Sequence, residues 1–207
     1  VDTIDDIAQP GQGNSLVLPE GSDPDHIRLS HDPQSQLLIL QESATDHEVR
    51  LTGFDRLNPF GQRAVQWYQF GTAGTTLSYE ELLARGFDID GTTGGETLLG
   101  TILTDRMHAG LGDDLLSGGT GNDFLFGEAG NDTYLFNRGD GIVHIKDFLA
   151  PGAGNILRFG LGIVPEDLRR HLYFAAPESD GEGTLIIVLD NGDAVHLAGF
   201  NPKDVRN

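Results

Sequence analysis

The sequence AGLGDDLLS, GGTGNDFLF, GEAGNDTYL, running from Ala109 to Leu135, is three consecutive nine-residue units. Superposed, the units share a glycine at the fourth place, an aspartate at the sixth and an apolar residue at the eighth. These columns are Gly112, Gly121 and Gly130; Asp114, Asp123 and Asp132; and Leu116, Leu125 and Tyr134. One unit is too small to bury its own apolar residue, so the columns predict a repeat whose units stack on one another.

Each column has a physical reason. Glycines at near-alternate places let the backbone turn through positive φ and bring carbonyl oxygens together. The aspartate that follows adds a carboxylate to these carbonyls. Such a mixture of oxygen ligands, usually about six to eight of them, is what Ca²⁺ binds. The last three residues of each unit fit a very short strand with its middle side chain turned inward.

The unit Gly118–Phe126 resembles the RTX, or haemolysin-type, calcium-binding repeat, written GGxGxDxUx with U apolar, at every fixed place. The resemblance implies an all-β fold in which two units form one turn of a right-handed parallel β-roll. It also implies that Ca²⁺ lies between successive turns, so that Asp105 pairs with Asp123 and Asp114 with Asp132, each two units further on. The metal-site residues that it predicts are Glu96, Asp105, Gly110, Gly112, Asp114, Gly118, Gly119, Thr120, Gly121, Asp123, Gly127, Ala129, Asp132 and Asp147.

The repeat continues with lower fidelity on both sides of these units. Upstream, the unit from Gly100 keeps Asp105 but lacks two of the glycines, and the unit from Gly91 has Glu96 in the aspartate column. Glutamate is one methylene longer than aspartate, so a site that uses Glu96 is expected to be weaker or displaced. Downstream, Gly141 stands in the aspartate column and Asp147 follows shortly after. We expect a roll of roughly three turns.

A second internal repeat surrounds the first. The segment from Asp2 to Leu29 aligns without gaps on the segment from Val143 to Arg170, with ten identities over 28 positions. Each copy reads as short strands with a proline-led helical turn, and resembles the region that follows RTX repeats in large secreted bacterial proteins. The predicted domains are a first β flank (1–62), a connector (63–90), the roll (91–148) and a second β flank (149–207), with the flanks as small antiparallel β modules.

Local signals fix some elements outside the roll. In the second flank, Asn191-Gly192 between two apolar runs predicts a hairpin with a two-residue turn. In the connector, Ser78 and Glu81 form a capping-box pattern, and Gly86 suits the end of a helix of about two turns.

Composition limits the classes of partner. Lys plus Arg total 13 and Asp plus Glu total 32, which gives a net charge of −19, so nucleic acid and anionic membranes are poor partners. Self-repulsion of this size opposes compaction until cations neutralise part of it, and folding is expected to depend on the metal. The sequence contains no cysteine, which excludes disulfides and thiolate metal sites, and no run of apolar residues is long enough to span a membrane.

No catalytic pattern is present: G-x-S-x-G, P-loop and cysteine nucleophile are all missing, so we do not expect an enzyme. The resemblance implies a secreted calcium-binding block of a larger bacterial protein, such as a toxin or adhesin. Its implied partners are calcium, a type I secretion system and neighbouring domains of the parent chain.

The alternative function is an adhesion or recognition module that binds a polysaccharide or host receptor. Four aromatic residues, Phe60, Trp67, Tyr68 and Phe70, lie close together in the sequence. We interpret them as the core of the first flank, because clustered aromatics in β modules are usually packing residues. An exposed Trp67 or Tyr68 beside polar groups would instead favour recognition.

Overall fold

The computed structural model describes residues 2–4, 13–32, 34–43, 47–61, 63, 65–71, 74–147, 154–168, 172–175 and 183–200. Their regular structure is nearly all short strands, with only two short helices and a 3-10 turn, which confirms the predicted all-β class. Its elements are β1 (Asp2–Ile4), β2 (Ser15–Leu18), a 3-10 turn (Pro24–His26), β3 (Ile27–Asp32), β4 (Leu37–Glu42), β5 (Glu48–Thr52), β6 (Trp67–Phe70), β7 (Thr76–Ser78), α1 (Tyr79–Leu83), β8 (Phe87–Asp90), β9 (Thr97–Leu99), β10 (Asp105–His108), β11 (Leu115–Ser117), β12 (Gly121–Phe126), β13 (Thr133–Phe136), β14 (Gly141–Ile145), β15 (Ile156–Phe159), α2 (Pro165–Leu168), β16 (Leu172–Ala175), β17 (Gly183–Val188) and β18 (Ala194–Phe200).

The described residues divide into two compact units. The first comprises Val1–Asp88 with Thr101–Leu103, and the second comprises Ile89–Gly100 with Thr104–Asn207. The finer division at residues 62, 90 and 148 stays a prediction. No helix in the described ranges is long and apolar enough to cross a membrane.

The first unit contains two small sheets. In one, β3, β4 and β5 are antiparallel neighbours and β1 is added in parallel to β5. In the other, β2 is parallel to β6 and β6 is antiparallel to β7. α1 follows β7 directly, and its capping box is present as predicted, because Ser78 and Glu81 each accept the other's backbone N–H. The helix is shorter than the two turns expected.

The aromatic residues of the first unit differ in burial. Tyr68 and Phe70 are buried, as predicted for core residues. Trp67 and Phe60 are each 47% exposed, so the core interpretation is wrong for these two. For Trp67 the reason is the twofold period of a strand, which turns it to the face opposite Tyr68.

The second unit is built on parallel strands that stack at a constant register. β9, β11 and β13 form one side, with Thr97 opposite Leu115 and Leu115 opposite Thr133. β10 and β12 belong to the other side, with Arg106 opposite Phe124. Each partner lies two repeat units further along the chain, so two units form one turn. The predicted parallel β-roll is confirmed, and it has about three turns.

The apolar column of the repeat fills the inside of the roll. Met107, Leu116, Leu125 and Tyr134 are all buried in one core, as the stacking argument requires. The register changes at the next strands, because Gly121 pairs with Gly141 and Thr133 pairs with Ile156. Both partners lie further along the chain than two repeat units. The strict period therefore ends where the glycine columns end.

The second flank adds its strands to the roll. β15 pairs in parallel with β13, and β18 pairs in parallel with β14. β16, β17 and β18 form an antiparallel extension of the same sheet. The Asn191-Gly192 hairpin is present, but its turn has three residues, because the backbone N–H of Leu189 donates to the carbonyl of Asp193.

Arg138 holds the last loop of the roll to the second flank. Its guanidinium donates to the Gly162 carbonyl and to the carboxylates of Asp167 and Asp190. The carboxylates raise the pKa of Arg138, and the guanidinium lowers the pKa of Asp190. These contacts join three segments that are distant in sequence.

Candidate metal centre

The aspartate column lies inside the roll, at the corners that lead into the strands. Asp105, Asp114, Asp123 and Asp132 are all buried. Asp123 Oδ1 accepts the backbone N–H of Asp105 at 3.0 Å, and Asp132 Oδ1 accepts that of Asp114 at 2.9 Å. The predicted stacking of these residues is confirmed, while their role as metal ligands stays a prediction.

The second carboxylate oxygen of three of these residues has no hydrogen-bond partner among the described residues. The Oδ2 atoms of Asp114, Asp123 and Asp132 are buried and unpaired. Burial raises the pKa of all three carboxyls, and raises that of Asp123 to about 7. An unsatisfied buried charge is costly, so each of these oxygens requires a proton or a cation.

Glycines keep space open beside these oxygens. A Cβ on Gly118 would lie 2.3 Å from Asp123 Oδ2, and a Cβ on Gly127 would lie 2.4 Å from Asp132 Oδ2. A Cβ on Gly100 would lie 2.0 Å from the Gly118 carbonyl oxygen and 2.6 Å from Asp105 Oδ2. A carbonyl and a carboxylate from successive turns therefore approach the same point.

This donor set fits calcium. No group of three or more His, Cys, Asp or Glu side chains converges in the described part of the chain. An ion at these corners would therefore be held by one or two carboxylates together with backbone carbonyls. Ca²⁺ accepts that mixture and tolerates irregular geometry, whereas zinc prefers imidazole and thiolate ligands.

Comparison with known proteins agrees with this geometry. The model of the RTX calcium-binding nonapeptide repeat (four copies) matches residues 99–134 and 108–143. Residues 99–143 are an RTX calcium-binding repeat folded as a β-roll. RTX repeats are calcium-binding motifs and are typical of secreted bacterial proteins.

Two further comparisons concern the whole chain. No curated protein sequence matches it. Among solved structures, the crystal structure of the extracellular lipase LipA from Serratia marcescens is similar over 99% of this chain and 32% of that chain, at 15% identity and a TM-score of 0.34. The chain thus spans about a third of the length of that lipase.

The other predicted residues of the RTX sites lie in the turns. Gly110, Gly112, Gly119 and Gly121 have positive φ, as sharp turns require, and Thr120 precedes Gly121, the first residue of β12. Ala129 lies in the next turn, where it bridges to Leu111. Glu96 is at the first turn, and its carboxylate accepts the backbone N–H and the hydroxyl of Thr92, which lowers its pKa. This local use of the carboxylate supports the expectation of a weaker or displaced site there.

In the last turn of the RTX roll, the repeat pattern missed one residue, Asn155, and the hydrogen bonds of the Tyr134 hydroxyl. Asn155 Oδ1 accepts the backbone N–H of Asp132 at 2.8 Å, so an amide takes the place of the next aspartate. The Tyr134 hydroxyl donates to Asp147 Oδ2 and accepts the N–H of Gly127. Asp147 Oδ1 is buried and unpaired among the described residues. The available signal was the flank alignment, which sets Asn155 on Asn14.

Tyr134→Phe is expected to lower the free energy of unfolding by about 1–3 kcal/mol, because it leaves the buried N–H of Gly127 without its acceptor. Urea denaturation at saturating calcium measures the change. Tyr173→Phe is the matched control, because Tyr173 is 54% exposed on β16. Equal effects of the two substitutions would contradict the assigned role of the Tyr134 hydroxyl.

The calcium-free chain is expected to lose stability as pH rises from about 4 to 7. In the folded state the pKa of Asp123 is about 7, above its ordinary value of 3.8, so the folded state binds the extra proton in this range. The slope is at most ~1.4 kcal/mol per pH unit for this group. Circular dichroism in chelator across this range measures it. A calcium-free stability that rises with pH would be the opposite result.

Proposed function

We propose that this chain is a calcium-dependent folding block of a larger exported bacterial protein. The observation that carries the proposal is the row of buried, unpaired Oδ2 atoms on Asp114, Asp123 and Asp132 in the described part of the roll. Without a cation these carboxylates oppose the folded state, and with Ca²⁺ they stabilise it. The net charge of −19 acts in the same direction.

The free energy that calcium binding contributes can be compared with the free energy of folding. Extracellular calcium modules bind with Kd of about 10⁻⁴ to 10⁻³ M. At roughly millimolar calcium, each ion then contributes ~0.4–1.4 kcal/mol to the folded state. Three such ions together contribute ~1–4 kcal/mol, which approaches the lower end of the marginal stability of a domain, about 5 kcal/mol. In a cytosol with little free calcium the chain stays unfolded and can be threaded through a type I secretion system. Outside the cell it folds and supports neighbouring domains.

A calcium titration of the whole chain, followed by far-UV circular dichroism, tests the proposal. We expect a cooperative gain of β signal with calcium and no gain with magnesium at the same concentration. A spectrum that is already folded in EDTA and unchanged by calcium would overturn the folding function. A calcium-folded chain that is not exported when fused to a reporter would overturn only the secretion function.

Recognition of a polysaccharide or host receptor is the second candidate, and the exposure of Trp67 favours it. Trp67 lies opposite Ser15 on one side and Ser78 on the other, on a sheet face that also carries Gln69. An aromatic ring beside polar groups suits stacking on a sugar. Binding to a panel of bacterial and host glycans, with Trp67→Ala as the control variant, tests this function. Equal binding by both proteins would exclude Trp67 as the binding residue.

A further inference from the structure

Four strands of the first unit stand at the end of a sheet among the described residues, and two of them, β1 and β2, come first in the chain. β1 ends the sheet order β1-β5-β4-β3, and β2 ends the order β2-β6-β7. An open strand edge presents backbone N–H and C=O groups to a further strand. Both strands lie in the first unit, near the start of the first flank.

β1 and β2 correspond to β14 and β15, the strands that pair with the last repeat strands of the roll, β12 and β13. The gapless alignment that sets Asp2 on Val143 also sets β1 on β14 and β2 on β15. Their pairing corresponds too: Ile4 of β1 is opposite Leu51, as Ile145 of β14 is opposite Leu197, and both pairs are parallel. The difference is on the other side, where β14 and β15 pair with β12 and β13 of the roll.

The open edge of β2 is the edge that β15 uses to bind the roll. In β15 the N–H of Ile156 donates to the Asp132 carbonyl, so Ile156 faces β13. The residue of β2 aligned with Ile156 is Ser15. The carbonyls of Asn14 and Leu18 accept bonds from the β6 side, so they point to the opposite side. The backbone N–H of Ser15 therefore points away from β6, towards the edge of β2 that has no partner strand among the described residues.

The residues that close the roll recur at aligned positions. Gly154 donates its N–H to Asn131 Oδ1 at 2.7 Å, and Asn155 accepts the N–H of Asp132. The first flank has Gly13-Asn14 at these positions, in PGQGN against PGAGN. The first flank thus has the residue types that end an aspartate column in this fold.

We infer that β1 and β2 form the acceptor for the last turn of a second β-roll, joined to β1 from its N-terminal side. The bound turn would consist of two parallel strands with the pattern of β12 and β13. The connection in cis follows from the second flank, where only the four residues Asn137–Asp140 separate β13 from β14. This inference goes beyond the proposed function and does not depend on export. The parent protein would contain rolls and flanks in alternation.

A fusion of the full chain tests the acceptor. A copy of residues 91–141 is placed directly before Val1, which gives Val1 the position that Ile142 has after Gly141. In the matched control, one serine is inserted at the junction, which turns every following side chain of the strand to the opposite face. Hydrogen exchange of the Thr3 and Ser15 amides, with and without calcium, reports pairing of the two open edges.

The expected result is at least about 100-fold slower exchange of these amides in the in-register fusion with calcium. The control fusion and the original chain should show no such protection. Unchanged exchange in an in-register fusion whose original roll is still protected would overturn the inference.

If the fusion does not fold, a second variant, in which the first flank replaces the second, tests the same inference. Residues 142–207 are replaced by a second copy of residues 1–61, so that the first flank follows Gly141 directly. If β1 and β2 accept a roll, this variant keeps calcium-dependent β signal, and a version with one inserted serine loses it. Loss of the signal in both versions would overturn the inference.

Discussion

Asp123→Asn is expected to change stability in opposite directions with and without calcium. In chelator the variant should be more stable than the original chain at neutral pH, because it removes a buried carboxylate whose Oδ2 has no partner among the described residues. With calcium it should need at least about tenfold more metal to fold, which corresponds to ~1.4 kcal/mol. The amide keeps an acceptor for the N–H of Asp105, so the hydrogen-bonded stacking is preserved.

Calcium titrations by circular dichroism measure the change in the calcium concentration needed for folding. The residual β signal in chelator at neutral pH compares the two chains without calcium. The matched control is Asp113→Asn, which removes the same charge from an exposed residue of the roll. The carboxylate of Asp113 accepts the N–H of Asn131 outside the core, and an amide can still accept it. We expect little change in the control. If both variants shift the calcium midpoint equally, total charge governs folding and the buried site does not.

Gly130→Ala is expected to prevent the third repeat unit from stacking. A Cβ at this position would lie 1.7 Å from the carbonyl oxygen of Gly112, one turn earlier, and the backbone cannot move away without breaking the register. Gly130 also has a φ of +153°, which L side chains rarely adopt. The expected cost is at least about 3 kcal/mol.

Thermal unfolding at saturating calcium measures this cost, and Gly94→Ala is the control. Gly94 is also in a turn of the roll, but a Cβ there would have no neighbour within 4 Å. The control should unfold within a few degrees of the original chain. A Gly130→Ala chain as stable as the control would mean that the two turns do not pack as closely as described.

The central turns of the roll could be predicted in detail because their period is strict. The three columns in register predict that the units stack, and the resemblance to RTX repeats implies that two units form one turn. Together they place Asp105 on Asp123 and Asp114 on Asp132, and the structure has both pairs. The sharp turns follow from the glycine columns, because glycine adopts positive φ at little cost. Neither conclusion required knowledge of distant contacts.

The ends of the roll could not be predicted in the same way, because the period stops there. The longer registers of the last turn depend on how β14 and β15 pack, and no column of the repeat encodes them. Asn155 closes the aspartate column although it is not in any repeat unit. The addition of β18 to the sheet of the roll depends on contacts between segments far apart in the sequence, such as that of Ile142 with Ala194.

The outward direction of the Trp67 side chain could be predicted from the sequence. In a strand, Trp67 and Gln69 share one face, while Tyr68 and Phe70 share the other. The presence of a polar residue at Gln69 marks the first face as the outer one. The clustering of aromatics along the sequence was a weaker signal than this alternation.

The hydrogen bonds of the aspartate column give the roll a direction of assembly. In each bond the acceptor belongs to the later turn. Asp123 accepts the backbone N–H of Asp105, Asp132 accepts that of Asp114, and Asn155 accepts that of Asp132. A roll that grows from Asn155 towards its N-terminal end therefore supplies an acceptor for each buried N–H as soon as that turn is laid down. Growth in the opposite direction would leave the newest turn with a buried, unpaired N–H at every step.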